Sequence, residues 1–287
     1  MANKYALEYN AKNLVQKRIE NMKQNKKNKH QISVEKELKI VNRQEQSLRR
    51  SALRQEVPKW KSALTEKVPE KIYVNLQKAF CKAFEIVFEK GTGVIEKTYD
   101  RDSIQKDHEI HNFAFQVKAD RNSLKKRRKD AQHSNLRNLA ITSVEGFGLG
   151  ALGIGLPDIV VFVGVLLKGI YEVSLRYGFD YDSREERYFI LKLMETAVSK
   201  GNDWEVCNCQ VDQLIAGGVE NSQWIDAAED QISRTANAFA VDMVLLKFIQ
   251  GLPVVGMIGG AGNPVYYHKV MKYVELKYRK RYLVQLR

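Results

Sequence analysis

The chain has 287 residues, of which 44% are hydrophobic and 28% charged. That is the composition of a folded chain with one large or two small domains, and it excludes global disorder, a collagen-like fibre and a polytopic membrane protein. With 47 Lys+Arg against 34 Asp+Glu the formal charge is +13, which points to anionic partners such as lipid headgroups or nucleic acid.

The charge is unevenly placed. Residues 1–60 carry 15 basic and 6 acidic groups, residues 61–138 carry 17 and 11, residues 139–267 carry 8 and 16, and residues 268–287 carry 7 and 1. Basic flanks therefore enclose an acidic, glycine-rich centre. The three cysteines, Cys81, Cys207 and Cys209, are too few for a disulfide framework, and the first residues contain no apolar signal region. The expectation is a reducing, cytoplasmic setting.

The first 30 residues are rich in Asn, Lys and Gln and predict a frayed or solvated helix. From Val34 the positions Val34, Leu38, Val41, Leu48 and Leu53 step by helical intervals toward Pro58. Together these make residues 1–57 a basic N-terminal arm, helical or partly disordered, ahead of a helical domain over 58–287. Beyond Pro69, Ile72, Leu76, Phe80, Ala83 and Val87 predict a helix ending near Gly91. Further helices are expected over 103–118, 123–143 (capped at Asn122 or Ser123), 158–177, 184–200, 221–250 and 264–285. No run of alternating strands occurs, so the fold class is all-α, a multi-helix bundle with glycine-rich central hairpin segments.

Two uncharged or nearly uncharged stretches stand apart. Gly146 to Leu167 carries Asp158 as its sole charge and includes Gly146, Gly148, Gly150, Gly153, Gly155 and Pro157. As one helix it would span about 33 Å at ~1.5 Å per residue, against ~30 Å of hydrocarbon. The glycines, Pro157 and Asp158 favour instead a loop followed by a buried helix with Pro157 in its first turn. Phe248 to Tyr267 is uncharged and contains Gly256, Gly259, Gly260, Asn263 and two prolines. Close helix packing in a core is preferred for both stretches over insertion in lipid.

The run GTGVIEK at 91–97, EGFGLGALGIGLPD at 145–158, RYGFD at 176–180 and LPVVGMIGGAGNP at 252–264 resembles the pattern of the EcsC protein family, a bacterial group. The resembling part runs from roughly Trp60 to the C-terminus. It implies a mainly helical bacterial protein, with the family's namesake linked by gene neighbourhood to an ABC transporter implicated in secretion and competence. It supplies no catalytic residues. The family's small-residue, Asp, Leu, Pro order appears here as Leu156-Pro157-Asp158, which alters the setting of the acid.

Catalytic and cofactor patterns are weak. Gly148 to Gly153 satisfies GxGxxG, but no strand precedes it and Pro157 interrupts the helix that a dinucleotide site needs; a GK[ST] ending is also absent, so neither NAD nor NTP is expected. His108 and His111 lack HExxH spacing, and Cys207 and Cys209 lack a second ligand pair, so no metal or other cofactor is assigned. Asp158 is read as a first-turn helix cap and Asn263 as the cap of the last helix. The basic run Lys125, Lys126, Arg127, Arg128 and Lys129 suits a headgroup zone, as do Lys269, Lys272, Lys277, Arg279, Lys280 and Arg281, interleaved with Tyr266, Tyr267, Tyr273, Tyr278 and Tyr282. The functional expectation is a non-catalytic protein, peripheral at the inner face of the cell membrane or bound to a membrane protein there. A hydrolase or lipid-modifying enzyme gathering Asp158 and His268 is the alternative, and nucleic-acid binding stands third.

Overall fold

The computed structural model describes residues 2–54, 70–130, 157–218, 228–249 and 264–287. They form α1 (Ala2–Arg54), α2 (Glu70–Ile86), a π-helical turn (Val87–Gly91), α3 (Thr92–Glu96), α4 (Arg101–Lys118), α5 (121–130), α6 (Pro157–Arg176), α7 (Arg184–Val198), α8 (Gly201–Gly217), α9 (Ala228–Ile249) and α10 (Pro264–Gln285). No strand occurs among the described residues, and the all-α class holds.

Local chemistry sets several of these boundaries. The Asp100 carboxylate accepts from the Ser103 N–H at 2.9 Å to start α4, and Ser183 accepts from the Glu186 N–H at 3.0 Å to start α7. The cap expected at Asn122 or Ser123 lies earlier. Asp120 accepts from the Ser123 N–H and hydroxyl at 3.0 and 2.8 Å, because a carboxylate three residues ahead reaches the orphan amides of the first turn. α6 opens at Pro157 as its missing N–H favours, and closes at Gly178, φ +84°, where the Phe179 N–H returns to the Ser174 carbonyl at 2.9 Å. α8 was not anticipated from spacing: its apolar residues are interrupted by Cys207, Asn208, Cys209 and Gln210, which blur the stripe. The helix that opens at Glu70 does not stop near Gly91; it passes through the π turn and continues to Glu96.

α10 is the hub. It packs on α1, α6, α7 and α8, while α9 lies across α2 and α7. A helix packed on four neighbours keeps little exposed surface, and Tyr266, Tyr267, Val270, Met271, Tyr273, Val274, Tyr278 and Tyr282 are all buried. α6 carries the second half of the apolar stretch, and Val163, Leu166, Leu167, Ile170 and Val173 are fully enclosed in the core. Phe239 of α9 gathers Phe80, Phe84, Phe162 and Tyr266 with ring centroids 5.5–6.4 Å apart. Gly169 permits the α6–α10 approach, since a Cβ there would lie 2.3 Å from the Tyr267 hydroxyl. No helix of the described residues is long and apolar enough to cross a membrane.

Candidate functional site

The cations expected at an anionic surface separate into two groups. On α10 they mostly point inward. Lys277, fully enclosed, donates to Glu45 of α1 and Asp212 of α8 at 2.6 Å each, and Lys280 reaches the same two acids at 2.7 and 2.9 Å. Asn208 donates to Glu45 at 3.0 Å and accepts from the Tyr273 hydroxyl at 2.9 Å. Arg279 pairs with Glu37 of α1, which also receives Arg121 at 2.7 Å and Arg128 at 3.5 Å from α5. Arg281 pairs with Glu186 at 2.6 Å and lies over the rings of Phe179 and Phe189, while the Tyr278 hydroxyl donates to Glu186 at 2.6 Å. Lys269 donates to Asp242 of α9 at 2.7 Å, and Lys200 meets the same acid at 2.8 Å.

Burial explains this pairing: a charge withdrawn from water is tolerated only when an opposite charge and hydrogen bonds replace its hydration. Burial opposes ionisation of Glu45, but Lys277 and Lys280 outweigh it and hold the carboxyl at about 2. The five tyrosines of α10 are likewise buried against helices. Their interleaving with cations follows from a helix that contacts apolar and acidic neighbours in alternation.

The second group faces outward. On α5, Lys126 and Lys129 are exposed and Lys125 half-buried, and on α10 Lys272 is exposed; none of the four makes an ion pair among the described residues. Within the same run Arg127 is buried, donating to the His108 carbonyl at 3.0 Å and covering the Tyr282 ring at 4.2 Å.

Two motifs meet at one corner. Tyr99 donates to Tyr181 at 2.6 Å, and Tyr181 to Glu96, the acid of GTGVIEK, at 2.7 Å. Arg101 binds Glu96 at 3.0 Å, Asp182 at 2.7 Å and both oxygens of Asp180, the last residue of RYGFD, at 2.9 and 3.0 Å. Tyr171 stacks on Tyr181 at 4.1 Å. Burial raises both Tyr99 and Tyr181, so their hydroxyls keep their protons and act as donors. A groove of about 280 Å³ beside this corner is lined by Gln105, His108, Glu109, Leu175, Gly178, Phe179 and Asp180. Burial lowers the His108 imidazole, whose Nδ1 contacts the Arg176 carbonyl at 3.1 Å.

The remaining expectations have plain positions. His111 contacts Asp130 at 3.1 Å, apart from the His108 contacts. All three cysteines are free; Cys207 is buried, which pushes its thiol up to about 11, and Cys209 is exposed. His268 is exposed. Gly146, Gly148, Gly150, Gly153, Gly155, Gly256, Gly259, Gly260 and Asn263 lie outside the described residues, as do the side chains of Pro157 and Asp158. Spacing did not single out Glu37, Glu45, Asp212, Glu186 or Asp242. A signal for the first two was present, since Glu37 and Glu45 share helical steps with Val34, Val41 and Leu48 and so fall within a buried stripe.

An all-helical body whose central helix is basic and is neutralised by acids from four neighbours is the class of protein that fold and ion pairs define. The model of the EcsC protein family matches residues 32–283, and the chain belongs to that family. The match begins inside α1, well ahead of Trp60 and the motifs that suggested it. A relative, Protein EcsC of Bacillus subtilis (strain 168), is 25% identical over 138 residues, which cover 47% of this chain and 50% of the relative. The chain thus spans about half the length of that relative. No solved structure matches.

Proposed function

We propose that this EcsC-family protein is a non-catalytic component that associates peripherally with an anionic membrane surface. The observation that supports this reading is the division of its cations: Lys277, Arg279 and Arg281, buried on α10, are committed to carboxylates, whereas Lys126, Lys129 and Lys272 are exposed without an ion-pair partner among the described residues. Lys125, half-buried, precedes Lys126 on the same helix and is grouped with Lys126 and Lys129. Lys269, Lys277, Arg279, Lys280 and Arg281 are excluded from it because their charge is spent on acids of the fold. Exposed lysines close to an anionic leaflet each gain on the order of 1 kcal/mol, and the gain is screened by salt. The alternative partner is a membrane protein at that surface, such as an ABC transporter of the kind linked by gene neighbourhood to the family's namesake.

Flotation of the purified full chain with vesicles of phosphatidylcholine and phosphatidylglycerol tests the reading. Association with the anionic vesicles and release at about 0.5 M salt are expected. Equal association with pure phosphatidylcholine, or none with either, would refute it.

A further inference from the structure

A strongly cationic stretch lies on α1 ahead of His30, and it rests outside both the sequence expectations for lipid contact and the family match, which begins at residue 32. α1 runs unbroken from Ala2 to Arg54, and among its described side chains those that meet the body begin at His30. The His30 ring lies 4.7 Å from that of Phe115, and the Ser33 hydroxyl donates to the Ala119 carbonyl at 3.1 Å; from there Val34, Glu37 and Val41 are buried. N-terminal to His30, every side chain from Gln16 to Lys29 is exposed.

Within 16–32 there are six cations, Lys17, Arg18, Lys23, Lys26, Lys27 and Lys29, against the single acid Glu20, and none of the six makes an ion pair among the described residues. Three large apolar side chains are exposed in this stretch, Ile19 at 42%, Met22 at 71% and Ile32 at 50%; the first two are three residues apart and therefore neighbours on one helix face. The stretch is held helical by local contacts such as Gln16 to Glu20 and Gln24 to Asn28. A helix without tertiary packing is marginal in water, and one that presents cations beside apolar groups gains order where both are satisfied together, at the boundary of headgroups and acyl chains.

We infer that residues 16–32 of α1 are the docking element for an anionic lipid bilayer, with Ile19 and Met22 entering the acyl boundary and the six cations meeting lipid phosphates. The charge complementarity selects an anionic partner. The exposed Ile19 and Met22 select lipid over nucleic acid, whose phosphate backbone gives an isoleucine and a methionine nothing to bury against. This inference rests on the peripheral-membrane reading above and names the element that carries it.

The test compares the full chain with three variants of it on the same phosphatidylcholine and phosphatidylglycerol vesicles, with a 30-base-pair DNA duplex as a second ligand. In the first variant all six cations are replaced by Gln; in the second Ile19→Asp is combined with Met22→Asp; in the third Lys125, Lys126, Lys129 and Lys272 are replaced by Gln. The arm makes no core contact over 16–29, so the first two variants should keep the far-UV spectrum and thermal midpoint of the parent. At ~1 kcal/mol per cation the first variant loses vesicle affinity on the order of 10⁴-fold, and the second loses at least tenfold. If the third variant alone abolishes binding while the first two bind as the parent does, the docking assignment is wrong and the peripheral reading stands. If the parent itself does not bind, both fall. Binding of the parent to DNA that exceeds its binding to vesicles, is lost in the first variant and is indifferent to Ile19→Asp and Met22→Asp, would transfer the arm to a nucleic-acid partner and overturn the lipid assignment.

Discussion

Lys277 has no exposed side-chain surface, and its ammonium sits between Glu45 and Asp212. Such a group is costly to bury and far more costly to strand, because removing one partner of an enclosed ion pair leaves an uncompensated charge worth about 3–5 kcal/mol. Glu45 makes the arrangement sensitive to acid. Its carboxyl is held at about 2 in the folded chain against an ordinary value of 4.5, so the unfolded chain binds the proton more readily. The stabilisation is therefore fully present above pH 4.5 and is lost as pH falls through about 2. The shift corresponds to on the order of 2 kcal/mol after allowance for solvent screening. Urea unfolding at pH 5.5 and pH 2.5 should show the parent losing that much more stability than Glu45→Gln; equal losses in the two proteins would assign the titration to another group. Only part of this was legible in advance. Helical steps put Glu37 and Glu45 in line with Val34, Val41 and Leu48, but which cations would meet them depended on a helix more than 200 residues away.

At the scale of elements, α1 divides in two. Its second half is bound to the body by Glu37 with Arg279, Arg121 and Arg128, by Glu45 with Lys277 and Lys280, and by Arg49 with Glu205. The sequence expectation starts the helical domain at residue 58, and these ion pairs tie residues 37–49 of α1 to helices beyond that point. Two truncations separate the alternatives. A chain of residues 32–287 should retain the cooperative thermal transition of the parent, since 16–29 contribute exposed side chains only. A chain of residues 58–287 removes Glu37 from Arg279 and leaves Lys277 and Lys280 to share Asp212 alone, and should lose about 5 kcal/mol, enough to remove much of an ordinary domain's stability of ~5–15 kcal/mol. A transition for 58–287 equal to the parent's would show that the body neutralises those cations without α1. Helix periods were readable in the sequence where one face was apolar, as in α2, α6 and α7. They were not readable in α8, whose polar residues interrupt its stripe, nor at the π turn, where an extra residue shifts the face without changing composition.

For the molecule as a whole, α10 is the last element to open, because it is enclosed by α1, α6, α7 and α8 and tied to α1, α7, α8 and α9 by charge. Amide hydrogen exchange should be slowest along Val270 to Tyr282 and close to unfolded rates over 16–29. Exchange over Val270 to Tyr282 as fast as in the arm would contradict the hub. The amino-acid sequence by itself determined that the chain is helical, that α6 starts at Pro157, that the flanks are basic and that the chain resembles the EcsC family, since periodicity, proline and net charge are properties of neighbours along the chain. The tertiary structure decided which cations are spent and which are displayed. That choice is made by the distance between a cation and an acid, which for α10 means contacts with residues far away in sequence, so a composition suited to a lipid surface became the neutralised centre of the fold, while unpaired charge is displayed at exposed positions such as those of the arm, the outer face of α5 and Lys272.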